Sequence, residues 1–99
     1  MYYTYILKSS RQAGAIYIGY TSDLKTRLKQ HNDHANNNYS KRFAPWTVET
    51  YLAFTEETQA KEFEIYLKSN SGKAFMRKRL LSKDFKEALK KFNNGRGTS

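Results

Sequence analysis

Two short stretches near the N-terminus limit what this chain can fold into. From Tyr2 to Lys8, Tyr3, Tyr5 and Leu7 point one way, while Tyr2, Thr4, Ile6 and Lys8 point the other. That is the two-residue period of a strand. Ala15 to Tyr20 reads as a second strand, and the short polar loop from Ser9 to Gly14 makes the pair a hairpin. On the second strand Tyr17 shares a side with Ala15 and Gly19, and Tyr20 points with Ile16 and Ile18. Thr21, Ser22 and Asp23 then supply helix-capping residues, so the stretch "AIYIGYTSDL" runs from a strand into a helix.

The first helix is expected over Leu24 to about Asn32, followed by an asparagine-rich polar loop from Asp33 to Arg42. Pro45-Trp46 leads into a third strand, about Thr47 to Phe54. A second helix starts at Thr55-Glu56-Glu57, whose acids suit the helix dipole, and runs to about Lys68. "SNSG" breaks it, and a short basic helix covers about Lys73 to Leu81. A last amphipathic helix places Phe85, Ala88, Leu89 and Phe92 on one face, and "NNGRGTS" is expected to be disordered. The order β-β-α-β-α-α-α predicts an α+β fold, a small antiparallel sheet covered by helices. At 99 residues the chain is expected to form one domain, 1–81, with a helix over 82–92 packed on it and a tail over 93–99.

Charge points to a partner. Eighteen Lys and Arg face nine Asp and Glu, a formal net charge of +9. Eleven of the basic residues lie from Lys61 onward, opposed there only by Glu62, Glu64, Asp84 and Glu87. A basic half with many aromatics fits a polyanion, most often nucleic acid, and a solvated lysine-rich surface is the plain alternative. The chain has no cysteine, which excludes disulfides and cysteine-based zinc sites. Its N-terminal apolar run is too short for a signal peptide or membrane span, so a cytoplasmic protein is expected.

Helical wheels add a sharper signal. Leu24 and Leu28 define the inward face of the first helix, and Arg27 and His31 fall just beside them. In the second helix Glu64 falls among Ala60, Phe63 and Leu67, the inward face. A half-buried carboxylate is costly unless it is paired, protonated or bound to a cation. One reading is a Glu64–Arg27 ion pair joining the helices. The other puts Arg27, His31 and Glu64 around a shared cleft floored by Tyr17, kept clear by Gly19, and by Tyr5 if the hairpin register allows.

"YTY" (Tyr3 to Tyr5), "YIG" (Tyr17 to Gly19), Arg27, His31 and Glu64 together resemble the GIY-YIG nuclease superfamily. The resemblance covers about residues 2 to 81. It is strongest to small stand-alone bacterial members, and it extends to the N-terminal nuclease domain of the excinuclease C subunit. The first motif keeps only its final tyrosine, Asn70 stands where close relatives often carry glycine, and Met76 to Leu81 contains no asparagine of the kind several of these nucleases use. The resemblance implies a three-stranded antiparallel sheet flanked by helices and metal-dependent cleavage of DNA. It implies that Glu64 holds one divalent cation, Mg2+ or Mn2+, which suits a cation that keeps waters and needs few carboxylates. Arg27 would stabilise the scissile phosphate. Tyr17 or Tyr5 would position or deprotonate the attacking water, although free tyrosine has a pKa of about 10. His31 would transfer a proton or hydrogen-bond. Lys68 would contact phosphate or Glu64, and Lys73, Arg77 and Lys78 belong to the basic helix expected to contact DNA phosphates.

Other patterns carry less. "HNDH" (His31 to His34) is too sparse for structural zinc, which wants four ligands. "SGKA" (Ser71 to Ala74) looks like part of a phosphate loop, but Leu67 and Ala74 occupy positions that motif needs as Gly and Ser/Thr. The rival functions are a nucleic-acid-binding module with little or no cleavage and a protein-interaction domain using the Phe85–Phe92 face. A protein partner or homodimer stays open.

Overall fold

In the computed structural model, which describes residues 1–33, 38–87 and 90, the chain folds as a three-stranded antiparallel sheet with helices on both faces. The elements are β1 (Tyr2–Ser9), β2 (Ile16–Thr21), α1 (Leu24–Asn32), α2 (Asn38–Phe43), β3 (Trp46–Phe54), α3 (Glu57–Leu67) and α4 (Asn70–Arg79), and residues 83–87 are again helical. The strand order is β2-β1-β3, so the N-terminal strand is central. That suits its sequence, since it carries apolar side chains on both faces, and Tyr5, Ile6 and Leu7 are all buried.

The hairpin pairs Tyr5 with Gly19, Ile6 with Ile18 and Leu7 with Tyr17. Opposite residues of an antiparallel pair share a face. Tyr5, Leu7, Tyr17 and Gly19 therefore line one side of the sheet, and Ile6 and Ile18 line the other. The connecting loop turns on Gly14, whose φ of 88° lies where other residues are strained. It is tied down by the Ser9 hydroxyl, which accepts from the backbone of Arg11 and Gln12 and donates to the Phe43 carbonyl.

Each face has its own core. On one, Ile6, Ile18, Leu67, Met76, Leu81 and Phe85 pack together under α3 and α4. Thr4, also buried, donates its hydroxyl to the Ala60 carbonyl at 2.7 Å and so pins α3 to the central strand. On the other, Tyr5, Leu7 and Trp46 pack with Leu24, Leu28, Phe43 and Val48 beneath α1 and α2. Asn32 anchors the end of α1 to the start of β3, since its amide donates to the Trp46 carbonyl and its oxygen accepts from the Trp46 backbone. A register shift opposite Ile6 and Leu7 leaves Glu49 as an extra residue in β3. The Glu49 carboxylate is buried and meets the Lys8 ammonium at 3.3 Å.

Three expectations change. The segment expected as loop up to Arg42 contains α2, because Phe43 and Ala44 pack against the second core and anchor a helix that its polar composition does not advertise. The last basic helix begins at Asn70, before Lys73, because the Ser69 hydroxyl caps it by accepting from the Gly72 backbone. "SGKA" is thus a helix start, and Asn70 sits in its first turn with no need of glycine, since no described non-glycine residue has positive φ. Phe85 is buried in the first core, which removes it from any partner surface. Ala88, Leu89 and Phe92 lie outside the described residues.

Gly72 marks where α4 crosses the end of α3. A Cβ there would overlap the backbone carbonyl of Tyr66. Backbone cannot turn aside as a side chain can, so Gly72→Ala is expected to destabilise the fold by about 1–3 kcal/mol. The check is urea unfolding, with a lower midpoint and an unchanged slope.

Candidate active site

A cleft of about 390 Å³ opens over the β2 edge of the sheet. Tyr5, Tyr17 and Gly19 line it from one face of the hairpin and Tyr20 from the other. Arg27 enters from α1, whose residues pack on the tyrosine face, and Glu57 and Glu64 enter from α3, which covers the opposite face. Thr21 and Ser22, at the strand-to-helix junction, complete the wall. The opposed faces of a small sheet thus contribute a guanidinium and two carboxylates to one space, because the strand between them is an edge.

The junction is built locally. Asp23 caps α1, accepting from the Thr26 backbone at 3.1 Å and from the Thr26 hydroxyl at 2.8 Å. These bonds, the backbone one foremost, hold the exposed Asp23 carboxyl below its ordinary pKa. Thr21 in turn donates to the Asp23 carbonyl and accepts from its backbone N–H. The helix therefore leaves the strand in one direction, and Arg27 follows from its first turn.

Beneath the cleft lies an aromatic stack. The Tyr5 and Tyr17 rings are nearly parallel at 6.5 Å, and Tyr17 lies 4.3 Å from the His31 ring. The Tyr5 hydroxyl and His31 Nε2 are 3.0 Å apart. Gly19 has a different function from the one expected. A Cβ at Gly19 would stand 2.5 Å from the Tyr5 hydroxyl oxygen, so the glycine makes room for Tyr5, whereas the expectation was that it clears space around Tyr17.

The model of the GIY-YIG catalytic domain matches residues 1–79. The chain belongs to the GIY-YIG family. It is 33% identical over 72 residues to a UPF0213 protein of Bacillus licheniformis, an alignment spanning 73% of this chain and 72% of that one. It is 31% identical over 68 residues to a UPF0213 protein of Clostridium perfringens, spanning 69% and 71% respectively. The GIY-YIG superfamily is one of nucleases, and the three-stranded sheet with flanking helices is its expected fold.

In this GIY-YIG domain five of the residues singled out from the sequence, Tyr5, Tyr17, Gly19, Arg27 and Glu64, line one cleft. His31 is buried behind it, against Tyr5 and Tyr17. The ion pair made by Glu64 runs to Lys68, one turn along α3 at 2.9 Å, in place of the Arg27 pairing that was one expectation. Lys73, Arg77 and Lys78 are exposed on α4 and do not line the cleft. Glu57 and Tyr20 were missed. Glu57 sits two turns before Glu64 on the same stripe of α3, a spacing that would have flagged it. His31 and Asn32 face Tyr5 and the Trp46 backbone, and no cluster of three metal-ligating side chains occurs among the described residues. No helix among those residues is long and apolar enough to cross a membrane.

The two buried partners have opposite proton affinities. Burial pushes the Tyr5 hydroxyl well above the usual phenol range, Tyr17 adds to this, and the Arg27 cation opposes it. Burial, then Arg27, lowers the His31 pKa below its ordinary value. At neutral pH Tyr5 thus keeps its proton and His31 is neutral, and one hydrogen bond joins the Tyr5 hydroxyl to Nε2. The sign of the pH effect follows. Below about pH 6.5 the unfolded imidazole takes up a proton that the folded one resists, so the unfolded state binds more protons and stability falls as pH drops. The loss begins near the unfolded pKa and levels off below the lowered folded one. Denaturant unfolding from about pH 7.5 to about 5.5 should cost the native chain more stability than a His31→Gln variant. Parallel curves for the two would show that His31 is not the group responsible.

Proposed function

We propose that this domain is an endonuclease that hydrolyses phosphodiester bonds in DNA with the help of a divalent cation. The observation that carries the reading is the meeting of Arg27, Tyr17 and Glu64 in one cleft, from separate elements of the fold. An arginine and a carboxylate on opposite walls of a polar cleft suit a substrate with a negatively charged reacting centre that also needs a cation.

The donor set fits Mg2+ or Mn2+. Glu64 is 17% exposed toward solvent and Glu57 lines the same wall, so hard oxygen ligands are at hand with room for waters and a phosphate oxygen. Glu64 would hold the ion, with Glu57 as a second oxygen ligand direct or through water. When bound, the cation supplies Lewis-acid stabilisation of the charge that builds on phosphate and leaving oxygen. Lys68, paired with Glu64, holds that carboxylate in its rotamer and balances its charge.

The protein's own groups divide the remaining work. The Arg27 guanidinium offers paired donors to the non-bridging phosphate oxygens and stabilises the five-coordinate transition state. Tyr17 orients the water that attacks phosphorus while the bond to one sugar oxygen breaks. Of the two candidate tyrosines, burial disfavours ionisation of Tyr5 and its hydroxyl is engaged by His31, which supports a positioning role for it. His31 keeps Tyr5, and the Tyr17 ring packed against it, in place. Lys73, Arg77 and Lys78 would hold flanking phosphates along α4.

Glu64→Gln should abolish Mg2+-dependent nicking of plasmid and oligonucleotide DNA while leaving DNA retention largely intact. Arg27→Ala should lower the cleavage rate about 10²–10³-fold. Full cleavage by the Glu64 variant would exclude it as the metal ligand. Replacing Lys73, Arg77 and Lys78 by alanine should weaken binding to all sequences alike. It should also reduce the log–log salt slope by roughly 0.9 for each phosphate that the variant no longer neutralises. An unchanged slope would place the DNA path elsewhere.

A further inference from the structure

A second cleft, of about 520 Å³, lies on the other side of the α1 N-terminus. Its lining is largely apolar: Tyr3 from β1, Val48 and Tyr51 from β3, and Leu24 and Leu28 from α1. Lys25 stands among them. Tyr51 is 54% exposed, on the sheet face that also carries Tyr3 and Tyr5. Its ring meets that of Tyr3 edge-on at 5.9 Å, which fixes its orientation while leaving a face open. Ser22 belongs to the walls of both clefts, so the two adjoin at the start of α1.

We infer that the Tyr3–Tyr51 cleft receives one unpaired nucleobase of the strand whose phosphate sits by Arg27. The inference rests on the nuclease reading for its neighbouring phosphate, and it adds what that reading lacks, a determinant of substrate class. A flat, apolar, exposed ring fixed by a second ring is a stacking platform, and stacking tolerates any base because every base has a π-face. Lys25 supplies a cation beside it for the connecting backbone, while the Asp23 carboxylate that shares this wall is engaged by its bonds to Thr26. A base inside a duplex cannot enter such a cleft without leaving its stack, a cost that is least for a strand already unpaired. The cleft therefore favours single-stranded segments, frayed ends and flaps over intact duplex.

The test measures binding in the Glu64→Gln background, so that cleavage does not intervene. Fluorescence anisotropy is read with a short labelled oligothymidylate, with a duplex of the same length, and with inorganic polyphosphate as a competitor that has charge but no base. Tyr51→Ala should weaken binding of the single strand at least about five-fold while leaving duplex and polyphosphate binding within about two-fold. Tyr51→Phe should bind as the parent does, since the ring face and not the hydroxyl makes the contact. Equal loss for all three ligands, or no loss for the single strand, would overturn the proposal. So would an equal loss in the phenylalanine variant, or sedimentation showing that Tyr51→Ala dissolves a dimer seated on this cleft. Failure of the nuclease reading is seen separately: the native chain would cut none of the DNAs with Mg2+, whatever Tyr51 does for binding.

Discussion

Tyr5 crosses the floor of the cleft and its hydroxyl is hydrogen-bonded to His31 Nε2 at 3.0 Å, and the arrangement of the candidate active site depends on that bond. The strand that carries Tyr5 is the centre of the sheet, and the helix that carries His31 also carries Arg27. The bond thus couples the register of the hairpin to the seating of α1. It also needs Gly19, since any side chain there would collide with the Tyr5 ring. The "G" of the second motif and the final "Y" of the first are two halves of one contact across adjacent strands, paired directly as Tyr5 with Gly19.

The site gains its chemistry from the narrowness of the sheet. With three strands, the edge strand β2 is close enough to the helices of both faces for a guanidinium from one and carboxylates from the other to meet over it. α1 stands as a wedge between two clefts, polar and charged on the β2 side, apolar and aromatic toward β3. A nucleotide has the same division between phosphate and base. That correspondence is the reason to assign the two spaces to one ligand strand.

Much of this was legible in the chain. Alternation in Tyr2 to Lys8 and Ala15 to Tyr20 located the hairpin and put Tyr17 on the Gly19 face, and helical periodicity placed Glu64 with Ala60 and Leu67. What was missed has physical reasons. Glu57 has an ordinary explanation as an acid in the first turn of a helix, so a second role did not stand out. Tyr20 points with the isoleucines by strand alternation, which assigns it to the opposite face from Tyr17, and a cleft that wraps an edge uses both faces. The function of Gly19 depends on a cross-strand neighbour, and the absence of a Glu64–Arg27 ion pair depends on how the two helices are placed. Neither is set by local pattern. α2 stayed hidden because Phe43 finds its core only once β1 and β3 are paired.

The central claim is that a divalent cation and a phosphate share the cleft over β2. Paramagnetic broadening of amide NMR signals by substoichiometric Mn2+ tests it without reference to turnover. Broadening should centre on the backbone around Gly19, Thr21, Glu57 and Glu64, be reversed by excess Mg2+, and vanish in Glu64→Gln. Broadening centred instead on the acids of residues 84–87, with the Gly19 and Glu64 signals left sharp, would contradict the account.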